Sequence, residues 1–129
     1  MKIVDTVYLV AYLRPGSGEL HQEARRLLEE ELSSGDARVS AASILELDLI
    51  LKSRGATAGE REKIWLLLSA VIGDRVEPIL PGDMALAAVL EERGLDYFDA
   101  LIAAQCINRG AEPATTDEEI LSAVEEYTA

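Results

Sequence analysis

Asp5, Glu46, Asp99 and Asp117 are the side chains whose type and placement point to chemistry. Asp5 ends an apolar strand, Lys2 to Asp5, in which Ile3 and Val4 precede the acid. Glu46 falls early in the helix after the second strand, Asp99 lies in the first turn of the most apolar helix, and Asp117 follows the last strand. Carboxylates brought close together each raise the free energy of ionising the next, so a convergent quartet calls for a counter-charge. A divalent cation supplies one. Mg²⁺ or Mn²⁺ takes oxygen ligands and retains waters, and such an ion orients a phosphate, activates a water and stabilises a leaving oxygen. The reaction that suits the quartet is phosphodiester hydrolysis.

The elements that must bring these residues together read off the hydrophobic pattern. After Asp5 a short helix, Thr6 to Leu13, runs into the loop Pro15-Gly16-Ser17-Gly18. Leu20, Ala24, Leu27, Leu28 and Leu32 then recur at the helical period up to Gly35. Arg38 to Ser40 is a second strand, with Ser40 or Ser43 able to cap the helix through Ile44 to Lys52. Thr57 and Glu60 form a capping-box pattern ahead of Ile64, Leu67, Leu68 and Val71. Val76 to Leu80 is a third strand, placed at or near a sheet edge by Pro78, which lacks a ladder donor. Pro81-Gly82-Asp83 is expected to turn the chain before a helix from Met84 to Arg93. Asp96 then caps the helix containing Ala100, Leu101, Ala103, Ala104 and Ile107. A brief last strand, Glu112 to Thr115, precedes a final acidic helix, Glu118 to Tyr127.

Strands alternating with one or two helices imply right-handed crossovers and a parallel sheet, hence a three-layer α/β/α sandwich. Ligands of such sheets collect outside the carboxyl ends of the strands. Asp5 and Asp117 lie at that edge. A helix following a parallel strand starts there, which brings Glu46 close. The helix before the last strand must also start there, which brings Asp99.

The sequence has 129 residues, 49% of them hydrophobic, and reads as one domain, residues 1–129, able to bury about two thirds of its unfolded surface. Its 12 Lys and Arg against 24 Asp and Glu give a net charge of -12, which excludes a broad phosphate-binding face. The apolar stretch from Ile3 to Leu13 is too short to span a bilayer, and the lone Cys106 cannot form an internal disulfide; both fit a cytoplasmic protein. His21 lacks the partner spacing of a zinc site or a nucleophilic triad and reads as surface. Trp65 reads as core or interface. Arg14, Lys52 and Arg54 lie near loops, while Asp48, Asp96, Glu118 and Glu119 are assigned to solvent or caps.

Ile3-Val4-Asp5-Thr6, Ser40-Ala41-Ala42-Ser43-Ile44-Leu45-Glu46, Asp99-Ala100-Leu101-Ile102-Ala103-Ala104 and Thr115-Thr116-Asp117, in this order, resemble the motifs of PIN domains. Within that family they most resemble VapC-type toxins of toxin-antitoxin pairs. The resemblance spans essentially the whole chain. It implies a PIN-like fold with Asp5, Glu46, Asp99 and Asp117 as the Mg²⁺ or Mn²⁺ quartet and Thr6 and Thr116 as supports of the metal site. It further implies an endoribonuclease acting on single-stranded RNA, a homodimer and a cognate antitoxin protein. One departure is Glu118-Glu119-Ile120, where many relatives have an acid followed by an aromatic.

Two related enzyme classes are excluded by single positions. A haloacid-dehalogenase-like phosphatase needs a second Asp two residues after the first, where this chain has Val7; a receiver domain needs a late Lys, and the lysines are Lys2, Lys52 and Lys63. Two alternatives stand beside the toxin reading. One is a non-catalytic PIN-like binding or scaffold module, motivated by the acidic surface; the other is an RNA-processing nuclease without an antitoxin.

Overall fold

The computed structural model describes residues 1–128, so Ala129, the last residue of the expected domain, lies outside the described residues. Strands β1 (Lys2–Val4), β2 (Ala37–Ser40), β3 (Val76–Glu77) and β4 (Glu112–Ala114) form one parallel sheet in the order β3-β2-β1-β4. The helices are α1 (Thr6–Tyr12), α2 (Glu19–Arg25), α3 (Leu32–Ser34), α4 (Ala41–Ser53), α5 (Ala58–Ile72), α6 (Pro81–Glu92), α7 (Tyr97–Arg109) and α8 (Glu118–Thr128). A π-helical stretch, Arg26–Glu31, joins α2 to α3 in one continuous rod. The hydrophobic period marks this rod as a single helix, but a π turn leaves no signature in the period.

The expected three layers are present, and β1 shows why. Its alternating side chains enter two different cores, Ile3 packing with α6, α7 and α8, and Val4 with Leu9, Leu27, Leu28, Leu47 and Leu68 on the other face. Both residues are fully buried, a gain of roughly 1.5–3 kcal/mol each. Helix α7 is buried continuously from Ala100 to Cys106, its alanines permitting close approach to the sheet. No helix among the described residues is long and apolar enough to cross a membrane.

Several boundaries differ from the pattern reading. β1 stops at Val4 because Asp5 already caps α1, its carboxylate accepting from the Thr6 N–H at 2.7 Å. β3 is an edge strand, as Pro78 demands, but ends at Glu77 rather than Leu80. Pro81 is not in a turn; it opens α6, where its missing N–H costs no helical bond. Of the two candidate caps of α4, Ser40 takes the role, accepting from the Ala42 N–H at 3.1 Å. Asp48 is not a solvent group: it accepts two bonds from Arg61 and one from the Trp65 indole N–H, pinning α4 to α5.

Where β3 ends, carbonyls that the ladder leaves open are bonded by α7. Gln105, fully buried, donates to the Glu77 and Pro78 carbonyls and accepts from the Ser40 hydroxyl. At the end of α7 the Arg109 guanidinium grips both oxygens of Asp83, at 2.7 and 2.8 Å, and donates to Glu77 at 2.6 Å. Burial pushes the Asp83 carboxyl up, but the bonds from Arg109, the Leu80 N–H and Asn108 outweigh it and hold Asp83 at about 2.

This clamp yields an expectation for acid and for mutation. Asp83 titrates near 3.8 when unfolded and about 2 when folded, so its stabilisation is complete above about pH 5 and is lost as pH falls from there to about 1, about 2 kcal/mol in all. Arg109→Met leaves the Asp83 carboxylate, 2% exposed, without its cation and is expected to destabilise by about 3–5 kcal/mol. Urea unfolding of both proteins between pH 7 and pH 3 measures the loss, and a mutant as stable as wild type at neutral pH contradicts the clamp.

Candidate metal centre

The strand ends and helix starts on the carboxyl side of the sheet bring the acids together. Asp5 is 5% exposed at the end of the central strand, and its main-chain N–H donates to the Ala114 carbonyl at 3.0 Å, locking it to the neighbouring strand end. Its two oxygens accept from the Thr6 N–H and from the Thr115 hydroxyl, the latter at 2.6 Å. Glu46, in the second turn of α4, accepts the Thr6 hydroxyl at 2.5 Å. Asp99 follows the N-cap Asp96, whose carboxylate accepts from the Asp99 N–H at 2.9 Å. The Asp117 N–H donates to the Thr115 hydroxyl oxygen, and the Asp117 carboxylate caps α8 by accepting from the N–H groups of Glu119 and Ile120.

Electrostatics show that these groups share one space. Burial raises Asp5, opposed by bonds from Thr115 and Thr6, with Asp117 and Asp96 raising it further. Burial likewise raises Glu46, with Asp5, Asp96 and Asp117 adding to the effect against the Thr6 bond. Asp99 is pushed up to about 8, first by burial and then by Asp96, Asp117 and Asp5. Among the described residues no Lys or Arg forms an ion pair with any of these five acids, whereas Asp48 and Asp83 each have an arginine.

The donor set is all oxygen and anionic, which fits Mg²⁺ or Mn²⁺ and not the sulfur- and nitrogen-seeking metals. Among the described residues no three Asp, Glu, His or Cys side chains stand as a closed ligand cluster. The acids lie within electrostatic reach of one another, and Mg²⁺ habitually keeps several waters beside one or two carboxylates.

Sequence reasoning missed two residues of this site. Asp96 does cap a helix, as expected, but it also raises Asp5, Glu46 and Asp99; its position three residues before Asp99 puts both acids on one helical face. The hydroxyl that touches an acid is that of Thr115, whereas Thr116 is exposed and makes no side-chain hydrogen bond among the described residues. The strand register held the signal: Val4 pairs with Ala114, so the next residues along are Asp5 and Thr115.

A family model described as PIN domain matches residues 2–126. Among solved structures the chain is similar to the crystal structure of FitAcB from Neisseria gonorrhoeae, with a TM-score of 0.73 and 21% identity over 97% of this chain and 94% of that one. It is similar also to FitAB bound to an IR36 DNA fragment, with a TM-score of 0.73 and 21% identity over 97% of this chain and 91% of that one. These likenesses show the shared fold. No curated protein matches the sequence.

The raised acids fix the sign of the metal-free protein's pH dependence. Asp99 is protonated below its ordinary 3.8 in both states; between there and about 8 the unfolded chain releases a proton that the folded one keeps. In chelator, stability is therefore expected to fall as pH rises through that range, and Asp99→Asn should flatten the fall and raise the melting temperature at pH 8. Thermal melts of both proteins at several pH values in chelator check this; parallel curves would exclude Asp99 as the source.

Proposed function

Since the chain belongs to the PIN domain family, we propose that it is a divalent-metal-dependent endoribonuclease that hydrolyses phosphodiester bonds in single-stranded RNA, the cytoplasmic toxin of a toxin-antitoxin pair. The observation that carries the reading is the set of carboxylates at one sheet edge with no Lys or Arg partner among the described residues. The structural acids Asp48 and Asp83 are each neutralised by an arginine, so crowded acids left without one are suited to a mobile cation.

Asp5, Glu46, Asp99 and Asp117 would hold Mg²⁺ or Mn²⁺, with Thr6 and Thr116 as supports expected from the resemblance and Thr115 added by its bond to Asp5. A bound ion would supply charge for a phosphate oxygen and lower the pKa of a water. The protein's part is orientation. Thr115 and the Thr6 N–H fix the Asp5 carboxylate, and the Thr6 hydroxyl aims Glu46 at the same space. Arg14, Lys52, Arg54 and Lys63 are the Lys and Arg side chains outside ion pairs among the described residues, and Arg14 and Arg54 line one groove with Val10 and Leu47. They are the cations free to meet RNA phosphates.

Exposed apolar side chains support protein partners, an antitoxin and a second copy of the chain. Leu45 and Leu49 lie one turn apart on α4, and Leu66 and Leu67 stand out from α5, each at least half exposed. A PIN-like scaffold without catalysis is the second reading, favoured by the net charge of -12, which opposes RNA affinity. A processing nuclease without antitoxin shares the same site.

Cleavage of a mixed single-stranded RNA pool tests the activity, with Mg²⁺, Mn²⁺ or chelator, comparing the wild type with Asp5→Asn purified identically. Metal-dependent cutting lost in the mutant is the expected outcome, and no cutting by either protein favours the scaffold. Binding should also register as stability. Mn²⁺ at a hundred times its dissociation constant is expected to add about 2.7 kcal/mol, and an unchanged melting temperature would count against a preformed site.

A further inference from the structure

Asp5 is bracketed by its two sequence neighbours, each tied to α4. The carbonyl oxygen of Val4, one residue before, accepts the Ser43 hydroxyl at 2.9 Å. Thr6, one residue after, donates its hydroxyl to Glu46. Ser43 and Glu46 are three residues apart in α4 and so share one helical face. The two bonds form a pair of rungs between the β1–α1 corner and the first two turns of the helix that carries Glu46.

The rungs are unequal. Thr6 to Glu46 ends on a long flexible side chain, which can swing. Ser43 to Val4 links a short, fully buried side chain to the main chain of the central strand, which is paired on both sides. A serine this early in a helix usually serves as a cap, or bonds back to its own backbone. Ser43 does neither: Ser40 is the cap, and the hydrogen bond of Ser43 crosses to another element. An alanine would fit a helix better at this position, so what the hydroxyl contributes is the bond to Val4.

We propose that Ser43 is a positioning residue of the acid site: its bond to the Val4 carbonyl sets the separation of Asp5 and Glu46 and thereby the affinity for the divalent ion. The inference rests on the reading of the quartet as a metal site. Ser43 touches neither acid. It acts by holding the start of α4 at one height against the end of β1, from which the Glu46 side chain extends to the space in front of Asp5. Partners that orient metal ligands from behind commonly change metal affinity by about 10–100-fold when removed.

The test is calorimetric titration of the full chain with Mn²⁺, read as a dissociation constant and independent of RNA cleavage. Ser43→Ala is expected to weaken binding at least about tenfold. Ser43→Thr, which keeps the hydroxyl, should bind as the wild type does, and Ser43→Cys, with only a weak donor, should fall between. Leu32→Val, in the core at the start of α3, serves as a stability control and should lower the melting temperature without changing affinity. Ser43→Ala binding Mn²⁺ as tightly as wild type overturns the proposal, and so does a Leu32→Val protein that loses equal affinity for an equal loss of melting temperature. The metal reading is scored separately: if the wild type and Asp5→Asn titrate alike, that reading fails, and the role of Ser43 fails with it.

Discussion

Repulsion among carboxylates crowded at one sheet edge is the constraint around which this fold is arranged. Five acids face one space at the carboxyl edge of the sheet, and burial with mutual charge raises Asp5, Glu46 and Asp99. Such crowding is tolerated because α1, α4, α7 and α8 all begin at this edge, and the positive end of a helix favours negative charge. Asp5, Asp96 and Asp117 accept main-chain N–H groups of the helices they introduce. Hydroxyls of Thr6 and Thr115 supply the remaining donors. These contacts offset part of the repulsion, and none brings a positive charge.

The same residue type behaves oppositely a short way off. Asp83, more buried than Asp99, is held at about 2 because Arg109 takes both of its oxygens, while Asp99 is pushed up to about 8 by burial among other acids. What separates Asp83 from Asp99 is the presence of a guanidinium, not depth. Asp48 with Arg61 repeats the structural pattern. The clamp also serves the site, since Arg109 and Gln105 extend from α7, the helix of Asp99, to the end of β3, and Gln105 continues to Ser40, the cap of the helix of Glu46.

A short sheet makes this economy necessary. With strands of two to four residues, the ladder supplies few bonds between β2 and β3, and Pro78 removes another. Side chains complete what the backbone leaves open: Gln105 on the Glu77 and Pro78 carbonyls, Arg109 on Pro78, Ser43 on Val4. Among the described residues no buried side-chain polar atom lacks a partner.

The sequence by itself determined the layered α/β architecture, the edge position of β3 and the convergence of Asp5, Glu46, Asp99 and Asp117 on one side of the sheet, because hydrophobic period, Pro78 and the one-way sense of parallel crossovers are local or topological facts. It did not determine which hydroxyl meets Asp5, that Asp96 joins the group, that Asp83 and Asp48 carry arginines, or that Ser40 caps while Ser43 crosses to Val4. Those depend on the register of β1 against β4 and on the rotation of α4 and α7 about their axes. A shift of one residue in register, or part of a turn of a helix, exchanges Thr115 for Thr116 or turns Ser43 away, and only the packing of both cores against the sheet selects between such alternatives.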